Sequence, residues 1–374
     1  MAKKKDIDEE ILGEEKKEFK GNSIIDLINK KEGRILAYNL EKENPTEVKD
    51  WISTGSRWLD SIICNGKLSG IPIGKVTEIC GETAAGKSYM AAQIAANAQK
   101  KGMDIVYFDS ESAIDPEFLV RIGIDLNRFT YVQADSTEFV LSTIEHLLIN
   151  SKKPLLYCWD SLVATATKEN IEKGSYDPQS SMAYQPRVMS IGFKKLTIPL
   201  ANANSALLIL NQLRTNIGQG PYGDPFFVPG GKAVGYACSL IIYLTASKSQ
   251  KNFIREGENE KGDIIGTSLK ASIKKSRFGS YGRQAEFDIL WTGPKVSIMD
   301  EESWLEAIKG SEFLKQGGAW FSLVMEDNSE IKFQGENGFL EKLKDEKFKE
   351  RVLQIMDQYL IYKNKPILDL DIPL

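Results

Sequence analysis

Histidine is almost missing from this chain: His146 is the only one in 374 residues. That nearly removes histidine as a catalytic base and histidine-based metal sites, and the place of His146 on the apolar-periodic stretch Thr137 to Ile149 reads as structural. Cysteine is scarce as well. Cys64, Cys80, Cys158 and Cys238 lie far apart, three of them in strand-like apolar runs, which suits reduced core thiols better than disulfides or zinc. No apolar run approaches the ~20 residues of a membrane span. The opening Met1-Ala-Lys-Lys-Lys-Asp6 lacks the apolar segment of a signal peptide. The expectation is a cytoplasmic chain with no membrane partner. Strong positive charge is absent too. With a net charge of −4, a nucleic acid would have to be met by a local basic surface. No internal repeat or low-complexity tract is present.

The chain does hold enough apolar residues, 42%, for a sizeable core. Its organising stretch is Gly81, Glu82, Thr83, Ala84, Ala85, Gly86, Lys87, Ser88, which fits the phosphate-loop pattern G-x-x-x-x-G-K-[ST] without mismatch. Backbone N–H groups of such a loop wrap a polyphosphate, and a side chain at Gly81 or Gly86 would obstruct that approach. Lys87 would reach the β and γ phosphates, and Ser88 would offer its hydroxyl to Mg2+. The flanks agree: Lys75 to Cys80 reads as a buried strand and Ser88 to Gln99 as an alanine-rich helix whose positive end faces the anion.

Strand and helix patterns then alternate. They comprise Ile105 to Asp109, a helix after Asp115-Pro116, Tyr131 to Gln133, the Thr137 helix, Leu155 to Asp160, a helix near Arg187 to Ala203, and Ala206 to Gln212. The expected class is α/β, with a mostly parallel sheet flanked by helices on both faces. Active residues in such folds sit at carboxyl ends of strands, which here carry Asp109, Glu111, Asp160 and Gln212. Asp160 ends an apolar run, as expected of a carboxylate that orients Mg2+. An acid at a strand end is commonplace alone, and the phosphate loop is what gives it meaning. Glu111 is placed to deprotonate water, though a solvated loop charge would look the same.

Two stretches read as working loops, Glu172 to Ser181 and Arg214 to Lys232. The second holds five glycines, three prolines and the aromatics Tyr222, Phe226 and Phe227, a composition that suits stacking on single-stranded DNA. Ser268 to Ile273 and Gln284 to Trp291 read as strands, with Lys274, Lys275, Arg277 and Arg283 around the turn between them. At the amino end, 13 of the first 20 residues are charged, marking a solvated arm. A helix is expected over Asn22 to Lys31, capped by Asn22 or Ser23, and a strand over Arg34 to Leu40. From about Glu301 a small mixed module follows, running through Trp304 to Lys315 and Gly317 to Phe321 into helices as far as Tyr362. The weakly acidic Asp369-Leu-Asp371 ends it. The expected division is an arm over 1–50 that serves as an oligomerisation segment or packs on the chain's own core, a core over 51–300 and a small α+β module over 301–374.

Taken together, the residues after about position 50 resemble the bacterial RecA recombinase family, in a cellular or phage-borne form. The stretches that carry the likeness are Ile52 to Ser56 with Leu59-Asp60, the phosphate loop, Asp109-Ser-Glu111 with Asp115-Pro116, Asp160-Ser161 and Asn211 to Arg214. Gly230-Gly231, Gln284 to Phe287 and Gly318-Ala-Trp320 complete the set. The resemblance implies a RecA-like core that binds ATP and Mg2+. Glu111 would be the catalytic glutamate, Asp160 the magnesium-side aspartate and Gln212 the γ-phosphate sensor, with Asp115 and Phe118 flanking the adenine. Lys275 and Arg277 would reach ATP on the neighbouring subunit, and Met182, Arg187, Lys194, Arg214, Gly230 and Gly231 would touch or adjoin DNA, with Lys232 beside them in the groove. Lys194 and Arg277 match the family by charge alone. Thr83-Ala84-Ala85 and Ser88 depart from its usual serine-rich centre and threonine without changing the chemistry. The implied function is an ATP-dependent recombinase that forms helical filaments on single-stranded DNA and exchanges strands with homologous duplex DNA. Single-strand binding and mediator proteins would be further partners, in the cytoplasm of a bacterium or phage-infected host. The alternative from the same core is a hexameric DNA helicase; a regulatory ATPase would need no DNA loops.

Overall fold

The computed structural model describes residues 21–33, 35–42, 44–112, 114–173, 184–215, 226–229, 232–246, 253–257, 262–292 and 296–364. Met1–Glu47 and Val48–Leu374 form two separate units. In the first, a helix runs over Gly21–Glu32, so Asn22 and Ser23 fall within its bounds. The strand expected at Arg34 to Leu40 is absent: residues 35–39 carry no regular structure. Asn29 explains why. Its side-chain Oδ1 accepts from the N–H groups of Leu36 (2.7 Å) and Ala37 (2.8 Å), and its Nδ2 donates to the Ala37 carbonyl (3.1 Å), so a local amide takes the bonds a strand partner would need.

In the second unit β1 (Trp51–Ile52) pairs antiparallel with β2 (Ile71–Pro72). The central strands follow as β3 (Val76–Gly81), β4 (Asp104–Asp109), β5 (Phe129–Gln133), β6 (Leu155–Asp160) and β7 (Ala206–Gln212). A short ribbon joins β8 (Arg214–Thr215) to β9 (Phe226–Phe227). Then come β10 (Leu240–Ala246), β11 (Phe253–Arg255), β12 (Ile264–Ser276), β13 (Gln284–Leu290) and β14 (Ser297–Met299). Among the described residues these build one large sheet in the order β14-β13-β12-β10-β3-β7-β6-β4-β5, with β11 against β12. The run from β10 to β5 is parallel, and β12, β13 and β14 extend it antiparallel. β3, β6 and β7 are buried nearly throughout, which is why they read as continuous apolar runs.

Helices cover both faces. Lys87–Lys100 packs on one with Ile79, Tyr107, Cys158 and Leu208, and its ten buried residues include five alanines, whose small side chains let it lie close to the sheet. Thr137–Asn150 and Tyr184–Asn202 cover the other with Val106, Phe108, Tyr157 and Trp159. All four cysteines are buried and free. His146 is exposed on its helix, so it is structural only as a surface residue.

Past β14, Trp304 to Lys315 divides into a helix, Asp300–Ile308, and the strand β15 (Leu314–Gly317), broken around Gly310. β15, β16 (Trp320–Val324) and β17 (Glu330–Gln334) form an antiparallel sheet. Helices Gly335–Lys342 and Glu346–Met356 close over it, where Phe333 packs on Phe321, Phe339 and Phe348 with ring centroids 5.5–5.8 Å apart. This module shares its apolar cluster with the main sheet, and Arg57 pairs with Asp357 at 2.7 Å. The first twenty residues and Asp369 to Asp371 lie outside the described residues.

Candidate functional site

The loop between β3 and Lys87–Lys100 stands at the carboxyl end of the parallel strands. Gly86 has φ +77°, and a Cβ there would meet Leu269 Cδ1 at 3.0 Å. A Cβ on Gly81 would meet the Leu244 carbonyl at 2.9 Å. Both glycines, expected to face phosphate, are also required by the chain's own packing. No side chain caps the helix that follows, so its first-turn amides are available to an anion.

Lys87 Nζ donates to the carbonyls of Gly81 (3.2 Å) and Glu82 (2.9 Å). Burial holds this ammonium below its ordinary range, and the Asp160 and Glu111 carboxylates partly restore it. Ser88 Oγ donates to Asp160 Oδ2 at 2.7 Å, which joins the phosphate loop to the end of β6. Burial raises Asp160 above the usual carboxylate range, opposed by hydrogen bonds from Tyr107 and Ser88. Glu111 Oε1 accepts from Ser161 Oγ (2.8 Å) and from Gln212 Nε2 (3.4 Å), so residues at or just past the ends of three different strands share one corner.

Lys87, Ser88, Glu111, Asp160 and Gln212 line one cavity of about 370 Å3, with Phe118 on its wall. Its donor set is one half-buried ammonium, a hydroxyl and a carboxylate 2.7 Å apart, and an uncapped helix end. Hard oxygens and a cation of this kind fit a polyphosphate with Mg2+.

A family model for the RecA N-terminal domain matches residues 20–294. The chain belongs to the RecA family. It is 33% identical to Protein RecA of Sulfurovum sp. (strain NBC37-1) over 271 residues, 72% of this chain and 73% of that one. It is 32% identical to Protein RecA of Chlorobaculum tepidum, over 80% of this chain and 82% of the other. The Wolinella succinogenes protein is 32% identical over 77% and 82%.

The remaining predicted residues of this RecA-family chain are dispersed. Asp115 caps the helix Pro116–Ile122 by accepting from Glu117 N (2.9 Å) and does not line the cavity with Phe118. Lys275 and Arg277 sit away from it, where β12 meets the amino-terminal half of β10, since Lys275 pairs with Ile241 and Ile241 with Glu78. There Lys275 Nζ bonds the Gly235 carbonyl and Arg277 Nη2 the Tyr236 carbonyl (3.0 Å). Arg187 and Lys194 are both exposed on Tyr184–Asn202, seven residues apart and therefore on one helix face. Arg214 is exposed on β8, opposite Phe227. Lys232 begins a short helix; Met182, Gly230 and Gly231 lie outside the described residues.

Tyr89, Ile289, Thr267 and Trp291, which line the cavity, and Asn211, which supports it, had no site role assigned from sequence. Thr267 on β12, Ile289 on β13 and Trp291 just past β13 bring a wall from far along the chain. Asn211, fully buried, donates from Nδ2 to Glu78 (2.9 Å) and to the Pro229 carbonyl (3.0 Å), and its Oδ1 accepts from Gln212 N (2.9 Å). Its position just before Gln212 was the available signal.

Proposed function

We propose that this RecA recombinase assembles into a helical filament on single-stranded DNA, with ATP and Mg2+ held between subunits, and pairs and exchanges that strand with homologous duplex DNA. DNA-stimulated ATP hydrolysis then allows release. The observation that carries this reading is the convergence of Lys87, Ser88, Asp160, Glu111 and Gln212 on one cavity.

In this reading the phosphate loop from Gly81 to Ser88 cradles the triphosphate and Lys87 binds its terminal phosphates. Ser88 and Asp160 hold the metal, whose charge would offset that developing on the phosphates. Glu111, steadied by Ser161, takes a proton from the attacking water, and Gln212 reports the γ-phosphate. Phe118 flanks the base, with Asp115 acting through the helix it caps. Lys275 and Arg277 serve a neighbour's site; their place at the other end of the strands keeps them from their own. Arg187, Lys194, Arg214 and Lys232 form a cationic groove for DNA, together with Met182, Gly230 and Gly231. The 1–50 arm acts as subunit connector to the 51–300 core, and 301–374 is an appended module. Single-strand binding and mediator proteins are the expected further partners in the cytoplasm of a bacterium or phage-infected cell.

Electron microscopy with single-stranded DNA and a non-hydrolysable ATP analogue tests the proposal. Helical filaments are expected; rings that unwind a forked duplex would replace it with the helicase reading.

A further inference from the structure

β4 and β6 run parallel with Tyr107 opposite Cys158 and Asp109 opposite Asp160. Strand side chains alternate, so Tyr107 and Asp160, one step diagonal to each other, share a sheet face. The phenol spans that step and donates to Asp160 Oδ2 at 2.7 Å. Ser88 Oγ donates to the same oxygen, also at 2.7 Å. Asp160 Oδ1 receives no hydrogen bond among the described residues. The Tyr107 ring is 2% exposed and stacked on Phe129, with centroids 5.6 Å apart and planes 28° from parallel, so the hydroxyl has little freedom. A phenylalanine would fill this space equally well. What the hydroxyl adds is one hydrogen bond, and that bond goes to the carboxylate beside the phosphate loop.

We propose that Tyr107 is a positioning residue for magnesium: with Ser88 it pins Asp160 through Oδ2 and leaves Oδ1 to serve the cation. This role rests on the nucleotide site proposed above. Partners of this kind, one bond removed from the metal, commonly change metal affinity by about 10–100-fold. Without the phenol the carboxylate gains rotational freedom, which the metal would have to remove on binding.

The test is binding of a fluorescent, non-hydrolysable ATP analogue to the full chain as Mg2+ is titrated. Tyr107→Phe should move the Mg2+ midpoint upward by about 10-fold or more, with affinity for the analogue in excess EDTA equal to the parent's. An unchanged midpoint, or an equal loss of affinity with and without Mg2+, overturns the role and marks Tyr107 as a packing residue only. A parent protein that binds the analogue identically with and without Mg2+ overturns the magnesium site itself. Should Tyr107→Phe not fold, Phe129→Leu decides the matter. It keeps the hydroxyl but frees the ring, so a smaller upward shift supports the role and no shift overturns it.

Discussion

Glu111 stands just past β4, where Ser161 and Gln212 both reach the same carboxylate oxygen. Removing its charge while keeping its shape separates binding from turnover. Glu111→Gln is expected to bind ATP like the parent and to hydrolyse it about 10²–10⁴-fold more slowly, read by binding titration beside a steady-state ATPase assay. Asp60 shows a different single-residue effect. Its carboxylate is buried and accepts from Ser53 Oγ (2.6 Å), Thr54 N (3.0 Å) and Thr54 Oγ1 (2.7 Å). Burial outweighs those bonds and pushes it up to about 7, helped by the nearby Asp300, which burial pushes to about 6. The folded chain therefore keeps a proton that the unfolded chain releases near pH 4. That contribution to stability is present at low pH and is lost as pH rises from about 4 through about 7. Melting temperatures measured from pH 5 to 8 should fall for this reason, and Asp60→Asn should flatten the slope.

At the scale of elements, the carboxyl end of β7 is where the phosphate loop and the proposed DNA-facing segment meet. Gln212 faces Glu111 through its side chain, and its backbone N–H is bound by Asn211, whose amide grips the Pro229 carbonyl next to Gly230-Gly231. In the proposed role this uncharged amide would donate to a phosphate oxygen without titrating, and its engagement would distinguish ATP from ADP. Gln212→Ala should bind ATP and assemble, yet lose most of the ATP-induced gain in single-stranded DNA affinity. Affinities measured with ATP analogue and with ADP check this; a gain equal to the parent's would place the switch elsewhere.

For the whole molecule the question is which subunit Lys275 and Arg277 serve. Filaments mixed from Lys275→Ala and Lys87→Ala subunits contain junctions with both residues intact. Partial recovery of ATPase activity above either variant alone is therefore expected, measured in filaments verified to be mixed. No recovery would return both residues to one subunit's site.

What the sequence determined by itself was whatever depends on near neighbours. The phosphate loop is eight consecutive residues, and β6 and β7 are runs whose apolar side chains all find a buried place, so their bounds were legible directly. Asp160, Glu111 and Gln212 were legible because parallel strands end where the loop is. The tertiary structure decided what depends on register and on distant contacts. Trp291 joins the cavity beside the phosphate loop only because β12 and β13 fold back beside β10. Tyr107 meets Asp160 only because β4 pairs with β6 in one register, and a shift by one residue would turn the phenol to the opposite face. The arm's missing strand turned on Asn29, whose amide reaches seven and eight residues ahead. Gly192 carries no sequence mark either, yet a Cβ there would come to 2.5 Å from Leu141 Cδ1, so the present position of that side chain depends on it. Local patterns set which elements form; side chains brought together across the sheet set the chemistry, because hydrogen bonds and burial act over a few ångströms of space and are indifferent to separation along the chain.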